Sequence, residues 1–136
     1  DGDIIRAHFP QTGFTKAERD QHVQRVGFIA SLLEKHGVVT IAALISPYRE
    51  ARRKIRDLCK RFIEVHVSTP LEVCEQRDAK GLYSKARSGE VKEFTGISSP
   101  YEIPETPELT IDLTSVSVES AAERVIDYYL KNSQKA

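Results

Sequence analysis

The chain has 136 residues, with 20 Lys+Arg against 20 Asp+Glu and a formal net charge of zero. That length fits one domain with a real core, and the balanced charge excludes a general pull toward nucleic acid or an anionic membrane, so any anion site must be local. Cys59 and Cys74 are too few for a disulfide framework or a zinc knuckle and suit a reducing, cytoplasmic setting. His8, His22, His36 and His66 lack metal-ligand spacing, and no apolar run nears the ~20 residues of a membrane span.

The sequence contains no methionine. Asp1-Gly2-Asp3 is a turn signal with no strand before it, so the expectation is a domain whose opening strand lies outside these residues. The stretch from Asp1 to Phe14, interrupted by Gly2, Pro10 and Gly13, predicts a short helical piece and a loop. Thr15-Lys16-Ala17-Glu18 matches a capping box, opening a helix with Val23, Val26, Ile29, Ala30 and Leu33 on one face and Gly37 at its end. Val38 to Ile45 is a continuous apolar, β-branched run of the kind that forms a parallel strand buried on both faces. Ser46-Pro47 stops it.

Tyr48 to Lys60 then predicts a basic helix, with Arg49, Arg52, Arg53, Lys54 and Arg56 mostly toward water and Ile55 and Leu58 inward. Phe62 to Val67 predicts a strand, and Pro70 suits the first turn of a helix reaching about Asp78. Leu109 to Leu113 predicts a last strand, and Ser117 caps a final helix with Val118, Ala122, Val125, Ile126 and Tyr129 inward. Alternation on this scale implies a parallel sheet with helices on both faces, and ligands of such sheets sit beyond the strands' carboxyl ends. Those ends lead into Asp1-Gly2-Asp3, Ser46-Pro47-Tyr48-Arg49 and Ser68-Thr69-Pro70.

Between the last two strands, residues of about 80–104 carry Lys80, Lys85, Arg87 and Lys92 with Gly81, Gly89 and Gly96, and no clean apolar period. Pro100, Pro104 and Pro107 stiffen the return path. This pattern predicts a basic lid for an anionic ligand, the alternative being a solvated surface excursion.

Several stretches together resemble the adenylyl-sulfate kinase (APS kinase) family, and the resemblance covers nearly the whole chain. They are Asp1-Gly2-Asp3 with Arg6, then Phe14-Thr15-x-x-Glu18-Arg19-x-x-His22-x-x-Arg25, then Ile45-Ser46-Pro47-Tyr48. Next come Cys74-Glu75-x-Arg77-Asp78-x-Lys80-Gly81-Leu82-Tyr83, Phe94-Thr95-Gly96-Ile97, and Tyr101-Glu102-x-Pro104-Glu105. The resemblance implies an α/β three-layer parallel sheet of the P-loop kinase type, one kinase-like domain over residues 1–136. It implies transfer of the ATP γ-phosphoryl, with Mg²⁺, to the 3′-hydroxyl of adenosine 5′-phosphosulfate. It also implies homodimers and partnership or fusion with ATP sulfurylase.

The same resemblance assigns roles. Phe14 and Phe94 resemble the aromatics that clamp the adenine of the sulfated nucleotide, and Arg6, Arg19 and Lys80 the contacts to its phosphosulfate. His22, Ile45 and Ser46 fall at substrate-contact positions. Arg77 and Asp78 resemble the segment beside the ATP adenine, and Lys85, Arg87 and Lys92 are lid charges for phosphate. Asp3 is the carboxylate for the acceptor hydroxyl, Asp1 a candidate for the Mg²⁺ water shell, and Ser46 the position of a serine that related enzymes can phosphorylate. Each has a plainer alternative: a hydrophobic staple for Phe14, a carboxylate partner along its own helix for Arg19, an Asp-Gly turn for Asp1 and Asp3, a helix cap for Ser46.

Departures are also present. Family members usually carry Asn where His22 and Ile4 stand and Asp where Ser98 stands, and the loop between Arg6 and Phe14 is shorter. None of the seven glycines precedes a lysine, so GxxxxGK[ST] is absent. Two rivals follow: a P-loop-less, non-catalytic relative that binds the nucleotide or serves dimerisation, and a P-loop kinase for another hydroxyl-bearing substrate.

Overall fold

A computed structural model describes residues 1–133. In chain order they form α1 (Gly2–His8), α2 (Lys16–Lys35), α3 (Arg49–Leu58), β1 (Val65–Val67), α4 (Leu71–Arg77), α5 (Leu82–Arg87), β2 (Leu109–Ile111) and α6 (Val118–Ser133). These divide between two units, residues 1–62 with 92–103 and residues 63–91 with 104–133.

In the first unit, α2 begins at the expected capping box: Thr15 Oγ1 accepts from the Glu18 amide at 3.4 Å, and Glu18 Oε2 accepts from the Thr15 amide at 3.0 Å. It ends where Gly37 turns left-handed at φ 75°, which lets the Val38 amide return to the Leu33 carbonyl at 3.0 Å. Helix α2 packs on α3 through Val23, Ala51 and Ile55, with Phe62 against them. Gly27 makes that approach possible, because a Cβ there would lie 2.7 Å from Ile55 Cβ and overlap Ile55 Cγ2. Beyond the helices, the Glu34 carboxylate accepts the Lys60 and Arg61 amides at 2.9 and 2.7 Å, closing the far end of the pair.

The expected wet face of α3 needs correction. Tyr48, Ala51, Arg52 and Ile55 are buried and Leu58 is exposed. The buried stripe therefore runs i, i+3, i+4, i+7 with an arginine inside it. On α2, likewise, Leu33 stays exposed while Arg19, His22, Val23, Gly27 and Ser31 are buried.

Val38–Ile45 is not a strand. Val38, Val39, Ile41 and Ile45 are all exposed, Ile41 at 90%. A strand exists only as one side of a ladder, and among the described residues of this unit no strand lies beside it.

In the second unit β1 and β2 pair in parallel, Val65 opposite Leu109, His66 opposite Thr110 and Val67 opposite Ile111. Both are shorter than expected. Helix α4 follows Pro70, and α6 follows the predicted cap, with Ser117 Oγ accepting the Ser120 amide at 3.2 Å. The inward face of α6 differs, because the helix carries two apolar lines. Ala121 is buried, and Val125 and Tyr129, both expected inward, are half-buried with Tyr128, while Val118, Ala122, Ile126 and Leu130 stay exposed. The basic stretch after Lys80 also holds more order than its composition predicts: α5 buries Ala86. Among the described residues no helix is long and apolar enough to cross a membrane.

Replacing Gly27 by alanine is expected to destabilise the α2–α3 pair by about 1–3 kcal/mol through overpacking, and Ile55→Ala in the same chain should recover part of that loss relative to Ile55→Ala alone. Denaturant titration of the two single variants and the double variant checks it; additive losses would contradict the contact.

Candidate functional site

Seven of the residues singled out in sequence, together with Asp1 and Asp3, belong to the first unit: Arg6, Phe14, Arg19, His22, Ile45, Ser46 and Phe94. The loop after α1 is organised by arginine. Arg6 donates from Nη1 to the Thr12 and Gly13 carbonyls at 3.0 and 2.7 Å, and its guanidinium lies 4.5 Å from the Phe14 ring centroid. Arg19, at the second turn of α2, lies 5.4 Å from the same centroid and donates to the Phe14 carbonyl at 2.7 Å. Phe14 is 51% exposed, so its free surface remains available to a flat partner. The hydrophobic-staple alternative does not hold, because the residue it would pack on is Arg19.

Arg19 is 8% exposed, and its other arm donates to the Glu93 carbonyl. The structure therefore places the residue preceding Phe94 against α2. A tight turn follows, in which the Ile97, Ser98 and Ser99 amides lie near the Phe94 carbonyl and Ser98 Oγ accepts the Phe94 amide at 2.9 Å. Arg25, unassigned in sequence beyond its motif, completes the cluster: it covers Phe9 at 4.3 Å and donates to Thr12 Oγ1 at 3.0 Å. Burial, then the charges of Arg19 and more weakly Arg25, push Arg6 below its ordinary value despite Asp3 and Glu18. An anion entering here would relieve that crowding.

Asp1-Gly2-Asp3 is a helix start rather than a plain turn. Asp1 Oδ1 accepts the Asp3 and Ile4 amides at 2.7 and 3.3 Å, while Asp3 stands exposed in the first turn of α1. Gly2 donates to the Ala43 carbonyl at 3.1 Å, and a Cβ on it would come 2.6 Å from Leu44 Cδ2 and 3.6 Å from His22 Nε2. His22 thus lies under the turn that bears both carboxylates. It is 3% exposed, and neither ring nitrogen has a hydrogen-bond partner. Burial first, then Arg6 and Arg25, drive its pKa below the ordinary value of 6.5. The Gly2 backbone and Asp3 oppose this, but the Gly2 backbone is not in hydrogen-bond geometry with the ring. His22 is accordingly neutral near pH 7.

Ser46 follows exposed Ile45 and adopts φ 41°, and its carbonyl accepts from Arg52 at 2.6 Å. It does not cap α3, whose first amide, that of Arg49, is taken at 2.7 Å by the Glu102 carboxylate.

Lys92 also belongs to the first unit and is exposed; the other predicted residues belong to the second unit and mostly hold local structure. Asp78 accepts the Tyr83 and Ser84 amides at 3.0 and 3.1 Å, capping α5, and these bonds hold its carboxyl below its ordinary range. Arg77 donates to the Leu113 carbonyl at 2.8 Å, and Arg87 forks onto Glu75. Lys80 and Lys85 are exposed. Among the described residues no group of three or more His, Cys, Asp or Glu could hold a metal ion by itself.

Sequence reasoning missed Arg52 and Glu93. The signal for Arg52 was available, since it lies on the line of Tyr48, Ala51 and Ile55; Glu93 has none, because its partner Arg19 is 74 positions away in sequence.

A family model described as Adenylylsulphate kinase matches residues 1–112. An adenylyl-sulfate kinase of Halothermothrix orenii is 50% identical over 129 residues, covering 94% of this chain and 70% of that protein. An APS kinase of Mycobacterium tuberculosis, solved in complex with AMPPNP and APS, superposes with a TM-score of 0.88 at 41% identity, covering 94% of this chain and 76% of that one. A hexameric APS kinase of Thiobacillus denitrificans matches with a TM-score of 0.68 at 33% identity over 96% of this chain and 22% of its own.

His22 gives the site a pH signature. Because its folded pKa lies below the unfolded value of 6.5, the unfolded chain takes up the proton first as pH falls. Its contribution is complete above that value and declines as pH drops toward the folded pKa, with a slope of at most about 1.4 kcal/mol per pH unit. Urea unfolding of wild type and His22→Gln should show the steeper loss in wild type below about pH 6.5. Parallel curves would contradict a buried neutral ring.

Proposed function

The chain belongs to the adenylylsulphate kinase family, and from that premise we propose how its residues share the reaction. It is an ATP-dependent kinase that moves the γ-phosphoryl of ATP to the 3′-hydroxyl of adenosine 5′-phosphosulfate, giving 3′-phosphoadenosine 5′-phosphosulfate. The observation that carries the residue-level reading is the exposed Phe14 ring with the Arg6 and Arg19 guanidinium groups beside it, and Phe94 brought to the same unit through Arg19.

In this reading Phe14 and Phe94 take the adenine of the sulfated nucleotide, and Arg6 and Arg19 its phosphosulfate. A planar guanidinium suits such a group because it donates two parallel bonds to oxyanions. His22, Ile45 and Ser46 line the same nucleotide. Asp3 orients the 3′-hydroxyl and accepts its proton as the oxygen attacks phosphorus, the bond to the β-phosphate oxygen breaks, and ADP leaves. Transfer is direct. Among the described residues no base is seen beside the Ser46 hydroxyl, and in-line transfer requires no phosphoserine. By the same resemblance we assign Lys80 to the phosphosulfate, Arg77 and Asp78 to the ATP adenine, and Lys85, Arg87 and Lys92 to phosphate.

Mg²⁺ fits the residues present only as an ion carried by phosphates and water, since it is usually held by one or two carboxylates besides substrate oxygens. Asp1, both of whose capping bonds fall on Oδ1, would hold the ion through its water shell. Bound there, the ion would neutralise charge on the phosphates.

The cradle for the β- and γ-phosphates is the missing part. No glycine here precedes a lysine, so we place the backbone cradle and its lysine in sequence beyond these residues, on a strand that would pair with the apolar Val38–Ile45 segment and complete a three-layer sheet. The reading also carries a homodimer, a cytoplasmic setting, and partnership or fusion with ATP sulfurylase.

Phe94→Ala is expected to weaken binding of adenosine 5′-phosphosulfate by roughly 1–3 kcal/mol through lost stacking, with little change in melting temperature. Calorimetric titration decides it. Unchanged affinity with a clear drop in melting temperature would make Phe94 a packing residue.

A further inference from the structure

Among the described residues two besides glycine adopt left-handed backbone, Ser46 at φ 41° and Glu93 at φ 54°. A side chain disfavours that region, and residues persist in it only where their surroundings over-determine them. Each of these carbonyls is gripped by a buried arginine: Arg52 donates to Ser46 and Arg19 to Glu93, and both arginines are 8% exposed. Arg19 is already assigned to the nucleotide. Arg52 has no such assignment.

The second arm of Arg52 donates to the Glu102 carbonyl at 2.5 Å, and its guanidinium lies 5.9 Å from the Tyr101 ring centroid. Around it the strap of residues 101–103 is fastened to the start of α3. The Glu102 amide donates to the Pro47 carbonyl at 2.8 Å, Glu102 Oε2 accepts the Arg49 amide at 2.7 Å, and Arg49 Nε donates to the Ile103 carbonyl at 2.8 Å. One rigid fork therefore spans two carbonyls more than fifty positions apart, a geometry that a lysine ammonium on its flexible stem does not reproduce.

We propose that Arg52 is a positioning residue for the sulfated-nucleotide site, holding the Ser46 turn and the Tyr101–Ile103 strap in one arrangement before any nucleotide arrives. It acts through Ser46 and the strap rather than by touching substrate. The proposal rests on the reading that Ile45, Ser46 and Phe94 meet the nucleotide. The strap that follows Phe94 is then a fixed anchor of the segment from Lys92 to Ile103.

The test uses the natural full-length enzyme. Hydrogen exchange without nucleotide should find the Glu102 and Arg49 amides as slow as those inside α3; fast exchange there until nucleotide binds would overturn the proposal. Arg52→Gln should raise the Kd for adenosine 5′-phosphosulfate about tenfold or more while leaving that of a non-hydrolysable ATP analogue within about twofold, with Arg52→Lys intermediate. Equal weakening of both ligands, or of neither, would make Arg52 an ordinary packing residue. If Arg52→Gln does not fold, Arg52→Lys carries the same comparison. Normal affinity in the Arg52 variants beside a weakened Phe94→Ala sinks Arg52 alone, whereas normal affinity in all of them sinks the nucleotide reading beneath it.

Discussion

Two guanidinium groups, removed from water and fastened to main-chain carbonyls, hold the first unit in its functional shape. Arg19 joins the start of α2 to the carbonyls of Phe14 and Glu93, and Arg52 joins α3 to Ser46 and Glu102. Burying such a cation is costly unless its donors are satisfied, and hydrogen bonds to charged groups contribute about 1.5–3 kcal/mol each. Segments far apart in sequence are thereby brought together without a strand or a disulfide between them. One contact of each arginine ends on a left-handed residue, Glu93 or Ser46, so the arginines hold backbone directions that the local sequence would not choose.

The apolar core of this unit is small, built on Val23, Ala51 and Ile55 with Phe62. Apolar surface is left open elsewhere: Val38, Val39, Ile41 and Ile45 in the first unit, and Val118, Ile126 and Leu130 along α6 in the second. An exposed β-branched run that lies in no ladder among the described residues is suited to accept a neighbouring strand. The proposed phosphate cradle and a ladder partner for this run would then share one explanation, a strand leading into the cradle.

Much was legible where the signal is local. The Thr15 and Glu18 box, the Gly37 stop, Pro70 before α4 and Ser117 before α6 are set by short-range hydrogen bonds and backbone preference, and all fall where the sequence puts them. The motif order was enough to identify the family. What depended on distant partners was less readable. Val38–Ile45 carries every mark of a buried strand and is not one, because pairing is a property of two segments. Arg52 reads as a wet-side charge until Ser46 and Glu102 are placed beside it. On α6, two apolar lines compete, and only tertiary packing selects Ala121 over Ala122. Asp78 and Arg87, read as ligand contacts, are held by α5 and Glu75 in this structure.

The division of labour proposed above has these residues grip the sulfated nucleotide and sets the phosphate cradle outside them. Oriented donors at developing charge are each worth about 2.7–4 kcal/mol in measured active sites, so losing several of them together removes turnover. The direct measurement is ADP release, alongside titration with adenosine 5′-phosphosulfate, for the 136-residue chain and for its natural full-length protein. On this proposal the short chain binds the sulfated nucleotide and releases no measurable ADP, while the full-length protein does both. Turnover by the short chain at a rate near that of the full-length protein would contradict it.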